Sequence, residues 1–423
     1  MPGHKGVEFL GYESDDITEI KGADSLFECD GVIFDSERNA TQIFGTKSTV
    51  YSTEGSSLCI RAMLCLVMKY ACFLKRQPLV LAAKNAHKTF ITAAATLDFP
   101  FEWLPQIDDG SYLQSKISIE KLDSLLKEKQ PIAVFITSPD YLGNVADIQT
   151  IAQICKENNC LLIVDNAHGA YLKFLSPSRH PIDLGADLCC DSAHKTLPSL
   201  TGGAYMHIAK TAPDFFCENV KSAMSIFAST SPSYLILQSL DRLNLYLTDG
   251  YSQKLSAYIK RIDNLKSVLI KNGFTVFGDE PLKITIAPKS YGYSGIDFAE
   301  KLRQNGVECE FCDNDFVVLM LSVENGDDIN KIEKVILNIE KHEPIISTSL
   351  IKSERTRKLT PRQVLFAPSE KVPVCDAQGR ICASINIACP PAVPIVSAGE
   401  IIDTAAINQF LYYGIEYCDC VIE

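Results

Sequence analysis

Between residues 51 and 208 the sequence alternates apolar runs too short for helices with longer segments of helical spacing, and few folds accept that pattern. Strands that alternate with helices argue for a parallel sheet covered by helices, an α/β architecture. The strand-like runs lie at 78–83, 132–137, 160–165, 186–190 and 203–208, and the helical segments at 57–74, 86–97 and 148–158. Charged and apolar residues then recur at helical spacing over 235–271, which predicts a long helix, or two, leading out of this region. Residues 1–50 read as an irregular N-terminal arm with short elements and 51–272 as a large domain. Residues 273–346 form a small α+β domain, with short strands at 275–277, 283–286 and 316–321 between helical stretches near 296–305 and 328–341. The polar 347–360 segment looks like a linker, and 361–423, with Pro390, Pro391 and Pro394, a third α+β piece.

The 423 residues suggest two or three domains at about 150 residues each. Hydrophobic residues at 46% against 22% charged place the chain among folded proteins. The sequence shows no uninterrupted apolar run of the roughly 18 residues a membrane span needs and no secretory signal, so no membrane is expected. A net charge of −12 without a basic cluster argues against nucleic acid as a partner. The sixteen cysteines form no regular framework, as expected of reduced thiols in a cytoplasmic protein. No His-x-x-x-His spacing occurs, and no metal is expected.

Two residues carry the chemistry. Asp165 ends the run Leu161-Leu162-Ile163-Val164, and Lys195 sits in a polar loop after another strand. In open α/β sheets ligands bind at the carboxyl ends of strands, where both fall. A carboxylate there can keep a pyridine nitrogen protonated, and an amine can form an imine with an aldehyde. Together they turn pyridoxal 5'-phosphate (PLP) into an electron sink. Taken singly, a strand-end aspartate is more often a cap or turn residue, and a lone lysine a solvated charge. His168, three residues after Asp165, and His87, at another strand end, are ring-shaped candidates to flank a flat cofactor. Gly55, Ser56 and Ser57 open the first helix and form a phosphate cup, with Ser192 and His194 as further contacts.

In order along the chain stand Pro2-Gly3-His4-Lys5-Gly6, Ser52-Thr53-Glu54-Gly55-Ser56-Ser57, Asn85-Ala86-His87-Lys88, Ser138-Pro139-Asp140-Tyr141-Leu142-Gly143, Asp165-Asn166-Ala167-His168-Gly169 and Ser192-Ala193-His194-Lys195-Thr196-Leu197. This series resembles the Orn/Lys/Arg decarboxylases, PLP enzymes of fold type I, in their short class without a wing domain. The tail segments Ala367-Pro368-Ser369-Glu370, Pro390-Pro391-Ala392-Val393-Pro394 and Ala398-Gly399-Glu400 extend the likeness. Ala392 and Ala398 replace the glycine and proline usual there, and Met1 stands where short members carry a helical stretch before the first motif.

The resemblance implies a PLP-dependent transferase-like large domain (the aspartate aminotransferase fold), a small α+β domain, a C-terminal decarboxylase-type domain and a homodimer or dimer-based oligomer. It implies Lys195 as the imine lysine, Asp165 as the pyridinium partner, His87 stacked on the ring and His168 beside it, with Ser56, Ser57, Ser192 and His194 on the phosphate. The implied reaction takes arginine, lysine or ornithine to its amine and carbon dioxide, a step of polyamine biosynthesis, with Lys195 or His194 returning a proton to Cα. A cationic substrate end needs a carboxylate, for which Asp16, Glu19, Glu370 and Glu400 are the candidates. The rival expectations are another PLP reaction on the same fold, such as an aminotransferase or lyase, and a PLP-binding homologue without activity.

Overall fold

The computed structural model describes residues 2–107, 116–326, 328–346, 354–385 and 394–422. Pro390, Pro391, Ala392 and most of the expected linker, at 347–353, lie outside the described residues. The chain forms two compact units that interleave in sequence. The first holds residues 1–82, 119–138 and 147–253, and the second holds 83–118, 139–146 and 254–423. The expected 51–272 block is thus divided, because residues 83–118 and 139–146 pack with the C-terminal half.

In chain order the first seven strands are β1 (Ser48–Ser52), β2 (Val80–Ala82), β3 (Phe101–Trp103), β4 (Ala133–Thr137), β5 (Leu161–Asp165), β6 (Leu188–Asp191) and β7 (Ala204–Ile208). All but β3 belong to the first unit, where they follow the order β1-β7-β6-β5-β4-β2. The β2–β4, β4–β5 and β5–β6 pairs are parallel, as the alternation of strands and helices predicts, whereas β7 runs antiparallel to both β6 and β1. Every residue of β5, β6 and β7 is buried, which is why these strands read as continuous apolar runs rather than alternating ones.

Helix α1 (Val32–Phe44) and strand β1 occupy the part of the arm expected to be irregular. Their signal is concealed because two polar residues, Ser36 and Glu37, lie on the buried face of α1 beside Ile33, Ala40 and Phe44. Both are satisfied. Ser36 Oγ lies 2.8 Å from the Tyr51 hydroxyl and donates to Asp241 at 2.5 Å. Glu37 accepts from Lys221 Nζ at 2.6 Å and from the Tyr51 amide at 2.8 Å. Burial pushes the Glu37 carboxyl up, and Lys221 and the Tyr51 amide pull it back.

Helix α2 spans Gly55–Leu74. Its mean hydropathy reaches 1.7 over 18 residues, which makes this 20-residue helix long and apolar enough to cross a membrane, although Arg61 and Lys69 interrupt the run. Here it is a core helix that packs against β6, β7 and helix α7 (Asp214–Ser225). It buries Leu58, Ile60, Met63, Leu64 and Val67, each such side chain contributing about 1.5–3 kcal/mol.

In the second unit an antiparallel sheet of order β10-β11-β9-β8 is built from β8 (Thr275–Phe277), β9 (Lys283–Ala287), β10 (Phe311–Cys312) and β11 (Val317–Met320). A separate ribbon pairs β12 (Ser369–Pro373) with β13 (Tyr417–Val421), and its Val372 and Cys420 share one apolar cluster with Phe316, Val318 and Phe410. One Cys-x-x-Cys spacing does occur, at Cys309 and Cys312. Both thiols are free, and burial together with the neighbouring Cys312 pushes the Cys309 thiol up to about 11, opposite to the lowered value of a reactive redox pair.

Replacing Glu37 with alanine leaves the Lys221 ammonium, only 22% exposed, without its carboxylate. We expect Glu37→Ala to lower stability by about 2–4 kcal/mol, read as a shift of the urea midpoint. An unchanged midpoint would show that α1 is not anchored by this pair.

Candidate active site

The site is set by parallel pairing. Thr137 on β4 lies in register with Asp165 on β5, and Asp165 with Cys190 on β6, so the chain leaves both strands at one end of the sheet. The turn after β5 carries Asn166, Ala167 and His168; the turn after β6 carries Ser192, His194 and Lys195, the last two within the short helix α6 (Ala193–Thr196). The Asn166 amide donates to the Cys190 carbonyl at 2.9 Å, which extends the ladder by one residue and ties the turns together.

Lys195 Nζ lies 3.1 Å from His168 Nε2. An ammonium only donates, so His168 accepts through Nε2 and carries its own hydrogen on Nδ1. Asp165 is 2% exposed, and its Oδ1 accepts from the Ala167 amide at 3.2 Å and the Cys190 thiol at 3.7 Å. Ser192 Oγ donates to Ser56 Oγ at 2.9 Å, which brings the β6 turn to the first residues of α2. His194 Nδ1 lies 3.0 Å from the Gly203 carbonyl; a carbonyl only accepts, so this nitrogen carries a hydrogen.

The loop opening α2 is tightly fixed. Gly55 has φ +68, and its amide donates to the Gly202 carbonyl at 2.7 Å. Gly202 has φ +99, and a Cβ there would stand 2.7 Å from the Thr53 carbonyl oxygen. No side chain fits this approach without displacing the loop that presents Ser56 and Ser57.

Residues of the first unit therefore gather an amine, a buried carboxylate, an imidazole and a serine pair beside the start of a 20-residue helix. This donor set suits pyridoxal phosphate: the amine for its aldehyde, the carboxylate for its ring nitrogen, and hydroxyls and helix-end amides for its phosphate.

The other expected residues divide between the two units. His87 belongs to the second unit, where it precedes helix α3 (Lys88–Leu97) and its Nδ1 accepts from the Thr89 amide at 3.3 Å. In the first unit Asp16 lies 3.4 Å from His4 Nε2, and Glu19 is exposed. Glu370 accepts from Arg380 at 2.7 Å. Glu400, 1% exposed, accepts from the Trp103 indole at 2.8 Å, the Ser397 amide at 3.0 Å and Arg357 at 3.4 Å. It lines a cavity of about 470 Å³ in the second unit together with Lys84, Phe101, Trp103, Arg355 and Arg357.

Against this geometry, the family model for the Orn/Lys/Arg decarboxylase major domain matches residues 7–280. The chain belongs to this family. It is accordingly a PLP-dependent amino-acid decarboxylase. An uncharacterized protein, YaaO, of Bacillus subtilis is 28% identical over 415 residues, covering 93% of this chain and 84% of that protein. The arginine decarboxylase of the same organism is 26% identical, covering 95% of this chain and 87% of its own. A lysine decarboxylase of Francisella novicida superposes with a TM-score of 0.81 at 15% identity, over 100% of this chain and 78% of that one. The expected fold-type I architecture is the one found.

Sequence reasoning gives Asn166, inside the Asp165–Gly169 motif, no role of its own, and it misses His180, Asp191 and His207 as members of this region. The last three have side chains fully buried directly behind the Lys195 turn. Only Asp191, next to Ser192, carried a local signal.

Gly202→Ala should weaken PLP binding by about tenfold or more, since it displaces the Thr53–Ser57 loop by clash and by backbone strain. Fluorescence titration of the apoprotein measures it, and wild-type affinity would show that the loop's position does not matter to the cofactor.

Proposed function

We propose that this decarboxylase takes a basic amino acid, arginine, lysine or ornithine, to the corresponding amine and carbon dioxide, as expected of an enzyme of polyamine biosynthesis in the cytoplasm. The observation that carries the reading is the Lys195–His168 contact at the shared carboxyl end of β5 and β6, one turn from buried Asp165. Bound PLP supplies an electron sink for the charge left at Cα when carbon dioxide leaves.

The chain's residues do the rest. Asp165 keeps the pyridine nitrogen charged, a preorganised electrostatic effect in a water-poor site. Ser56, Ser57, Ser192 and His194 would hold the phosphate, and His168 would lie beside the ring. Lys195 is a better donor to Cα than His194, because His194 commits its Nδ1 hydrogen to the Gly203 carbonyl. His168 Nε2, 3.1 Å from Nζ, takes up and returns the amine's proton.

For the substrate's distal cation, Glu370 and Glu400 are already balanced by Arg380 and Arg357. Asp16 and Glu19 face no arginine or lysine in an ion pair among the described residues, so the N-terminal arm is the better source of a reading carboxylate. A homodimer, as in the family likeness, would let either arm serve either site.

The purified chain loaded with PLP is expected to release carbon dioxide and form agmatine, cadaverine or putrescine from the matching amino acid. Ammonia or a keto acid without carbon dioxide would support an aminotransferase or lyase. PLP binding without turnover of any amino acid would support an inactive homologue. Lys195→Ala is expected to abolish both turnover and borohydride fixation of the cofactor; fixation at another lysine, found by peptide mapping, would overturn the assignment.

A further inference from the structure

Behind the Lys195 turn lies a cluster that no step above uses. Asp191, the last residue of β6, has a fully buried carboxylate. Its Oδ2 stands 3.0 Å from His180 Nε2 and 3.0 Å from His207 Nε2, and its Oδ1 accepts from Asn166 Nδ2 at 2.7 Å. Both imidazoles are fully buried, and the Phe44 ring packs against them with centroids 4.5 Å from His207 and 5.9 Å from His180.

Two histidines and an aspartate within ligand distance of one another have the composition of a metal site. The tautomers argue otherwise. His180 Nδ1 accepts from the Ile182 amide at 3.3 Å, so its hydrogen sits on Nε2 and points at Asp191, where a metal would need a lone pair. His207 Nδ1 pairs with Thr49 Oγ1 at 2.9 Å, leaving its Nε2 to serve Asp191 in the same way. Burial would raise the Asp191 carboxyl, but the two histidines overcome it and hold the group well below the usual carboxylate range. Burial lowers His207, which favours its neutral form. The cluster is therefore one carboxylate fixed by three side-chain N–H donors, with the Cys189 thiol, 3.7 Å from Oδ1, as a weaker fourth donor.

What the carboxylate joins gives it a role. Asn166 lies between Asp165 and His168, and Asp191 immediately precedes Ser192 in the turn that carries Lys195. We infer that Asp191, held by His180 and His207, is a positioning residue that clamps the Asp165–Gly169 turn to the Ser192–Lys195 turn, so that amine, carboxylate and phosphate contacts meet the cofactor in one geometry. The inference rests on the PLP reading above and adds to it residues that never touch the cofactor.

The test compares Asp191→Asn, His207→Leu and His207→Gln with Leu122→Ala, a buried residue of helix α4 (Ile119–Lys129) remote from these turns. An asparagine at 191 cannot accept from all three donors. Leucine at 207 removes one donor, and glutamine returns an N–H near the position of Nε2. Asp191→Asn and His207→Leu should raise the PLP dissociation constant about tenfold or more. They should also lower the fraction of cofactor that borohydride fixes on Lys195 and reduce kcat with KM near wild type. His207→Gln should recover most of the affinity, and Leu122→Ala should lower only the thermal midpoint of the apoprotein.

If the Asp191 and His207 variants behave like Leu122→Ala, the cluster is core packing and the inference is overturned. Should Asp191→Asn not fold, equal PLP affinity in His207→Leu and His207→Gln overturns it. One equivalent of metal per chain, removed by chelator, would do so as well. A wild-type chain that takes up no PLP would overturn the functional reading and this inference together, whereas the other failures leave that reading standing.

Discussion

The in-register parallel pairing of β5 with β6 is the constraint from which the site follows. Side chains project from consecutive positions in fixed directions, and a slip of one residue would reverse every one of them. With Asp165 opposite Cys190, the two turns that leave these strands begin level with each other, and the Asn166 amide can still reach the Cys190 carbonyl. Lys195 meets His168 because the register allows it.

That register is expensive to hold at the strand ends, where backbone pairing stops and polar side chains enter a dry interior. The solution is a buried polar network rather than an apolar plug. Asp191 collects donors from β7, from the 178–187 loop and from the β5 turn, and a buried carboxylate that is fully satisfied rigidifies the groups it touches. A half-satisfied one would destabilise them. The same logic recurs on α1, where Ser36 and Glu37 replace apolar residues on a buried face and fix the helix through Tyr51, Asp241 and Lys221. In both places polar groups define a single arrangement where apolar packing would tolerate several.

Glycine sets the other half of the site by geometry alone. Gly202 lets the loop before β7 approach the Thr53 carbonyl closer than any side chain permits, and this contact presents the serines at the start of α2. The start of α2 is held in turn because the helix is buried along much of its length and the Ser56 hydroxyl meets that of Ser192. The Orn/Lys/Arg decarboxylase family, to which the chain belongs, is the context for this assembly of an amine, a carboxylate and a serine pair at one end of the sheet.

The sequence by itself determined the α/β alternation, the strands that end at Asp165 and before Lys195, and the chemistry those two residues can perform. Each of these is a local property: a run of apolar residues buried on both faces, or a charged group at the end of such a run. Tertiary structure alone decided the antiparallel direction of β7, the helix within the N-terminal arm and the interleaving of the two units, because pairing direction and buried polar faces leave no periodic trace. It also brought His180, Asp191 and His207 together from a loop and two strands, eleven and sixteen residues apart in sequence. Hydrogen-bond partners of that kind are chosen by proximity in three dimensions, and no spacing along the chain announces them.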